Sequence, residues 1–538
     1  MMAENKIDNS GKARIEDGIE DGIEDSIKKT VKSEEKTSLY DYIAAAAVDG
    51  RLPKDFALPR YALDDSQIAW MDGAMDGVNV YHMGFSEISA ENSALMAEAV
   101  QAASGKEFEK ADQLFGRLGQ VVRAINIIDE LQEYVMEHRE ELSASHVFEY
   151  AVNTVLHSGD RECVKFGISL LELFDTDDND ELKMVIRTLG LSDEFTIFAV
   201  FVMLRWENGN DEVYRLAREI HGWGRIHAIE RIEPETEEIK KWLLTEGVHN
   251  AVMPAYSALT CWRKSDAENV LKGNPSRDEF CGIRDMIRGL LDEGPVSGIS
   301  QIENAADIIN AFLKQAAAFE LDLEDYEAVR EIRRYFEGGD SGDSAVAALC
   351  QELLTSDSCR ALVTDAVRDG RAIELAEDLG LDFLDDILKL LQTSFDSHIY
   401  LCGLLIHDPK YRETVFELFR QKLPLEEMKT EPTKSLGLGQ EFRKQQYLES
   451  ALQELKRYPL EYPEFVETAL QSAPIRTRNL GIAVLEAWAD AKETPLAELM
   501  PEMHSLLCRL REIEPDEKVK SRMERLINGA VRFHDGTV

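Results

Sequence analysis

The sequence is poor in cysteine, poor in alternating apolar and polar runs, and short of basic residues. There are seven cysteines, at 163, 261, 281, 350, 359, 402 and 508. Their odd number, wide spacing and lack of any C-x-x-C pair argue against a disulfide framework or a zinc ribbon. Most lie in apolar runs such as Leu401-Cys402-Gly403-Leu404-Leu405 and read as small core residues. The longest apolar run, Phe195 to Leu204, falls short of the about 18–20 residues that a membrane span requires, so it predicts a buried helix. The charged N-terminus lacks the apolar core of a secretory signal, which makes the cytoplasm the expected location. Lys and Arg total 60 against 102 Asp and Glu, a formal net charge of −42. Phosphate recognition needs clustered cations, so the acid excess argues against nucleic acid as a partner and against docking on anionic lipid.

What is present is the helical period. Hydrophobic residues make up 44% of the 538, enough to fill a core. Between Ser143 and His157, apolar residues recur at spacings of three and four (Val147, Phe148, Ala151, Val155). Asp160, Asp180, Asp193 and Asp211 stand where N-caps of the next four helices belong. The helix after Asp193 is apolar nearly all round and should be central. Helical segments follow over Pro463–Gln471, Ile475–Ala489 and Leu496–Ile513. Such helices joined by short polar turns predict an all-α fold of irregular HEAT-like repeats, an α-solenoid without a fixed repeat motif. The best strand candidate is Asn79-Val80-Tyr81-His82-Met83.

The expected organisation is a disordered acidic tail over 1–37, with Ile15, Ile19, Ile23 and Ile27 interrupted by Gly18 and Gly22. An irregular and helical segment over 38–140 comes next, then a central helical body over 141–428. A Gly- and Pro-containing linker over 429–440 precedes a C-terminal helical segment over 441–538. A loop is also expected at 338–343, and the Gly-, Pro- and aromatic-rich stretch 51–83 reads as an irregular N-terminal element packed on the first helices.

Several fragments resemble chemical motifs in part. Gly437-Leu438-Gly439 and Gly222-Trp223-Gly224 begin like a dinucleotide-binding turn, but Phe442 and His227 stand where the third glycine belongs, and neither follows a strand. Asp175-Thr176-Asp177-Asp178-Asn179-Asp180 starts like a calcium loop, but Asp180 and Ile186 replace its glycine and its glutamate, so a helix cap is the better reading. Glu246-Gly247-Val248-His249 has no second copy to complete a diiron site and reads as a helix end. Cys281 reads as packing. There is no H-E-x-x-H, no G-x-S-x-G and no Walker loop. The densest stretch is His221-Gly222-Trp223-Gly224-Arg225-Ile226-His227. Two readings stay open for it. Either His221 and His227 face one cavity as ligands or acid–base groups with Arg225 binding an anion, or this is a capped turn whose Trp223 plugs a helix joint.

That stretch, continued through Ile232-Glu233-Pro234-Glu235-Thr236, Trp242-Leu243-Leu244 and Gly247-Val248-His249-Asn250, resembles a bacterial family of helical proteins, the limonene hydroxylases. The likeness extends over about residues 140–420. It implies hydroxylation of limonene to perillyl alcohol or carveol, and oxidation of these alcohols to perillyl aldehyde or carvone with NAD or NADP. The family supplies no catalytic residues to carry over; an oxidoreductase of this kind would use His221 or His227 as ligand or acid–base group, with Arg225 on the cofactor phosphate, beside a closed apolar cavity of roughly 300 Å³ or more. Periodicity and charge taken alone point elsewhere, to a non-catalytic helical scaffold or adaptor with a basic protein partner.

Overall fold

A computed structural model describes residues 38–59, 70–84, 88–294, 296–338 and 344–529. The tail over 1–37 and most of the loop over 338–343 lie outside the described residues. Among these residues the fold is all-α, and the only β pairing is an isolated bridge between Val48 and Arg51. Among the described residues no helix is long and apolar enough to cross a membrane. The chain divides into two compact units. The first comprises 38–59, 70–321 and 328–351, and the second 322–327 and 352–529, counting described residues.

The first unit begins with α1 (Leu39–Ala46), then α2 (Ala74–Val78) running directly into a π-helical turn over Asn79–Met83. The body follows as α3 (Ala90–Ser104), α4 (Phe108–Val121), α5 (Ala124–Glu137), α6 (Ala144–His157), α7 (Arg161–Leu171), α8 (Asp180–Gly190), α9 (Thr196–Met203), α10 (Gly209–Glu219), α11 (Trp223–Arg231), α12 (Glu237–Thr245), α13 (Ala255–Lys264), α14 (Ala267–Lys272) and α15 (Arg277–Leu291). Sequence neighbours pack together: α3 on α4, α6 on α7, α8 on α9, α10 on α11. The predicted central helix is α9, with Ile197, Phe198, Ala199, Val200, Val202 and Met203 all buried.

The predicted starts fare differently. Asp160 caps α7, its carboxylate accepting from the Cys163 amide at 3.0 Å. Asn179, not Asp180, caps α8 by accepting from Leu182 N. Asp211 lies in the first turn of α10, whose N-cap is Asn208. Asp193 does not cap the helix that follows it. Two intervening residues carry the chain away, and its side chain turns to α11. The segment 79–83 is a π-turn and not a strand, because its residues continue the coil of α2.

In the second unit the expected C-terminal helix breaks into Leu496–Leu499 and Pro501–Ile513, since Pro501 forces Met500 out of helical geometry (φ −143°, ψ 75°). The segment 429–440, expected as a linker, is packed within this unit. Thr430 N donates to Gln471 O and Thr433 N to Ala473 O. The Thr433 carbonyl accepts from Arg478, a fully buried guanidinium held at 2.7 and 2.8 Å by Glu514. Five of the seven cysteines are buried.

The strongest constraint in the first unit is ionic. Lys165 on α7 has no exposed surface. Its Nζ lies 2.5 Å from Glu194, 2.6 Å from Asp76 and 2.9 Å from Glu162. Arg123 reaches Asp76 at 2.7 Å, and Arg161 joins Asp72 (2.9 Å) to Glu194 (3.3 Å). Burial alone would lower the Lys165 pKa, but Asp76, Glu162 and Glu194 together hold it above the ordinary value. Asp76 is likewise penalised by burial, and Lys165 and Arg123 hold its carboxyl below the usual range. Replacing Lys165 with Met should leave buried carboxylates without their central cation and cost about 3–5 kcal/mol in denaturant titration. A loss below about 1 kcal/mol would show that the cluster is not the anchor.

Candidate functional site

The ion cluster matters because Asp72 and Asp76 belong to the segment that delivers the aromatic site. With Asp76 fixed, the π-turn carries Tyr81 onto α11 and His82 onto Tyr256 of α13. Gly77 makes the approach possible, since a Cβ there would overlap the Trp223 ring. Tyr81, Trp223 and Tyr256 pack with ring centroids 4.9–5.9 Å apart. Ala74 and Ile226 complete the wall, with Val252 against it. Tyr256 also accepts or donates a 2.6 Å hydrogen bond with His82 Nε2 at the surface.

The start of α11 is built by Asp193. Its carboxylate accepts from Gly224 N at 2.7 Å. Side chains at Gly222 or Gly224 would collide with it, and at Gly224 also with Thr196. Burial pushes the Asp193 carboxyl up to about 6 against the opposing effect of the Gly224 amide. The carboxylate therefore occupies the position where a helix N-terminus would receive an anion.

The three predicted residues part company here. His221 is exposed, and its carbonyl accepts from Ala251 N at 2.6 Å. Burial and then Arg225 lower its pKa. Arg225 is buried. Its guanidinium donates to the carbonyls of Ala217 (3.0 Å) and Glu246 (2.7 Å), and lies 5.0 Å over the Trp242 ring. His227 is 1% exposed, and neither ring nitrogen has a hydrogen-bond partner. Burial, then Arg231, pushes its pKa down to about 3, so the imidazole is neutral at physiological pH. Its ring stacks at 6.0 Å on Tyr81. The expected shared cavity for His221 and His227 does not form, because one lies at the surface and the other inside. The side of His227 facing Tyr81 and Trp223 is filled by rings.

The same geometry explains why the block from His221 to Asn250 is dense in unusual residues. Arg225 ties α11 to Trp242 and to the end of α12. Asn250 Oδ1 accepts from Val252 N (2.9 Å) and Met253 N (2.8 Å), setting the turn that presents Tyr256. His249 bonds Asp285 at 2.9 Å, which raises its pKa, and takes no part in the aromatic wall. Asp76, Tyr81, Lys165 and Asp193 are site-building residues that sequence reasoning did not select. The available signals were a lone lysine between Val164 and Phe166, and an aromatic pair in a segment read as a strand.

The implied nicotinamide dinucleotide does not fit either glycine fragment. At Gly222–Gly224 the Asp193 carboxylate fills the phosphate position and Arg225 is committed to carbonyls. At Gly437–Gly439 the backbone packs on Pro474 and receives the Gln446 amide, and a 3₁₀ turn follows with no strand before it. Among the described residues no group of three or more His, Cys, Asp or Glu side chains is placed to hold a metal ion. Compared with known proteins, the chain matches no family model, and no curated protein matches it.

Two outcomes test this geometry. Asp193 has a folded pKa raised from 3.8 to about 6, so the stability it contributes is full below 3.8 and lost as pH rises through about 6. Asp193→Asn should remove that slope, on the order of 2 kcal/mol between pH 4 and 7 once its solvent-facing edge is discounted, as read by denaturation at each pH. A slope unchanged in the variant would refute the assignment. Gly77→Ala should cost about 1–3 kcal/mol by overpacking and alter the near-ultraviolet circular dichroism of Trp223. An unaltered spectrum would mean that the π-turn does not press on that ring.

Proposed function

We propose that the protein oxidises small cyclic monoterpenes, as the family resemblance implies, taking limonene to perillyl alcohol or carveol and these alcohols to perillyl aldehyde or carvone. The observation that carries this reading is the His227 imidazole, buried and unpartnered against an aromatic and aliphatic wall. An unsatisfied buried polar group costs about 1–3 kcal/mol, and packing alone gives no reason to keep one where an apolar ring would fit. Perillyl alcohol or carveol, each a compact apolar frame with one hydroxyl, would remove that cost, whereas limonene, which has no polar atom, would not. In this reading Tyr81, Trp223 and Tyr256 bind the hydrocarbon frame and exclude water, and His227 orients the polar atom. Hydroxylation would consume dioxygen and two electrons from NADH or NADPH, the second oxygen atom leaving as water, and the alcohol step would pass hydride to oxidised NAD or NADP and a proton to solvent; no residue of this chain is assigned to hold the cofactor.

A second reading, a protein-binding scaffold, is favoured by a groove of about 690 Å³ in the second unit. Met500, Met503 and Leu506 lie there beside Glu464, Glu467, Glu502 and Arg509; Glu464 and Glu467 are paired with Arg420 and Lys429, which leaves Glu502 and the apolar side chains to meet a partner segment.

Turnover decides between them. Purified protein incubated aerobically with limonene and NADH or NADPH should yield oxidised products by gas chromatography. His227→Ala should reduce them by at least about tenfold, while His221→Ala, altering an exposed ring, should stay within about twofold. No product from folded wild type, with or without added iron or flavin, would refute oxidation and leave the scaffold.

A further inference from the structure

The groove of about 690 Å³ in the second unit runs between two Pro-initiated helices, Pro463–Leu470 and Pro501–Ile513. Its two walls differ in charge. On the first, Glu464 is held by Arg420 at 2.7 Å and Glu467 by Lys429 at 3.1 Å, so that wall is neutralised within the chain. On the second, Glu502 and Arg509 are exposed, and among the described residues neither side chain has a hydrogen bond or an ion pair. They stand seven residues apart, which is two turns or about 10.5 Å along one side of the helix. Leu506 lies between them on that side and forms the buried floor with Met503. Ile513 follows one turn beyond Arg509 and is 58% exposed. This side of the helix therefore reads acid, apolar, base, apolar over about 17 Å.

A groove between two helices suits a third, whose apolar face enters it. The net charge of −42 draws any basic segment towards the chain, but a segment with cations alone would set one of them against Arg509. A helix with one charge of each sign is matched at both ends. We infer that this groove docks an amphipathic helix of a partner protein that carries a basic and an acidic residue two turns apart beside its apolar face, the basic one on Glu502 and the acidic one on Arg509. The inference rests on the scaffold reading and specifies its partner. Met503 and Leu506 supply the attachment, and the two charges set the direction and register of the bound helix.

The test is fluorescence anisotropy with the full-length protein and three labelled helical peptides that share one Leu-rich face. At two rim positions seven residues apart they carry Lys and Glu, two Lys, or two Glu. Wild type should bind the Lys/Glu peptide about three- to fivefold more tightly than either of the others, the scale of an exposed ion pair. Glu502→Lys should move the preference to the two-Glu peptide, and Arg509→Glu should move it to the two-Lys peptide. Both positions are exposed, so both variants should melt as wild type does. Replacing the shared leucines of the peptides with serine should abolish binding. If wild type binds the two-Lys peptide best, it responds only to overall charge, and the inference is overturned. A preference that does not follow the two substitutions also overturns it, and in both cases the scaffold reading stands. Binding of none of the peptides overturns the inference and removes the groove as support for the scaffold reading. A wild-type dimer in size-exclusion chromatography that Glu502→Lys dissociates would assign the groove to a second copy, which overturns the inference as well.

Discussion

Lys165 is the residue on which the candidate site depends. A buried ammonium is tolerated only when carboxylates surround it, and here they come from three separate places in the chain: Asp76 before the π-turn, Glu162 on the same helix, and Glu194 before α9. The cluster therefore works as a clamp. It fixes a short, irregular stretch onto the helical body. Arg123 and Arg161 extend the clamp to Asp76 and Asp72, and the Gly73 amide donates to Glu194 at 2.9 Å. The placement of Tyr81 over His227 follows from this anchoring.

The start of α11 shows how one motif can look like a ligand site while serving architecture. Glycines followed by an arginine suggest an anion-binding turn. Here the anion is the protein's own Asp193 carboxylate, and the arginine satisfies backbone carbonyls at neighbouring helix ends. The glycines are needed because Asp193 and Thr196 press on the backbone where side chains would otherwise stand. These assignments explain most of the block that carries the family resemblance. Within the block, the ring nitrogens of His227 and the Nε of Arg225 are left without a hydrogen-bond partner.

The candidate site was legible in part. Trp223, His227 and Tyr256 fall in the stretches richest in rare residues. His221 falls there as well, yet it points to the surface, since residue type gives no direction for a side chain just outside a helix. Asp193 was legible as a cap, but the helix it caps lies about thirty residues further on, and no local pattern encodes such a pairing. The segment 79–83 looked like a strand because of its Val and Tyr, and its coil comes from continuing α2 under the clamp.

By itself the sequence determined the all-α class, the buried run at α9, the capped start of α7 and the burial of most cysteines. Each of these follows from composition, from helical period or from a contact within one turn. Tertiary structure alone decided that 429–440 packs within the second unit, that Lys165 gathers three carboxylates, and that Tyr81 meets His227. The reason is physical: these outcomes depend on pairings between residues tens to more than a hundred positions apart. Their energies come from desolvation and charge, which exist only once the helices have closed around them.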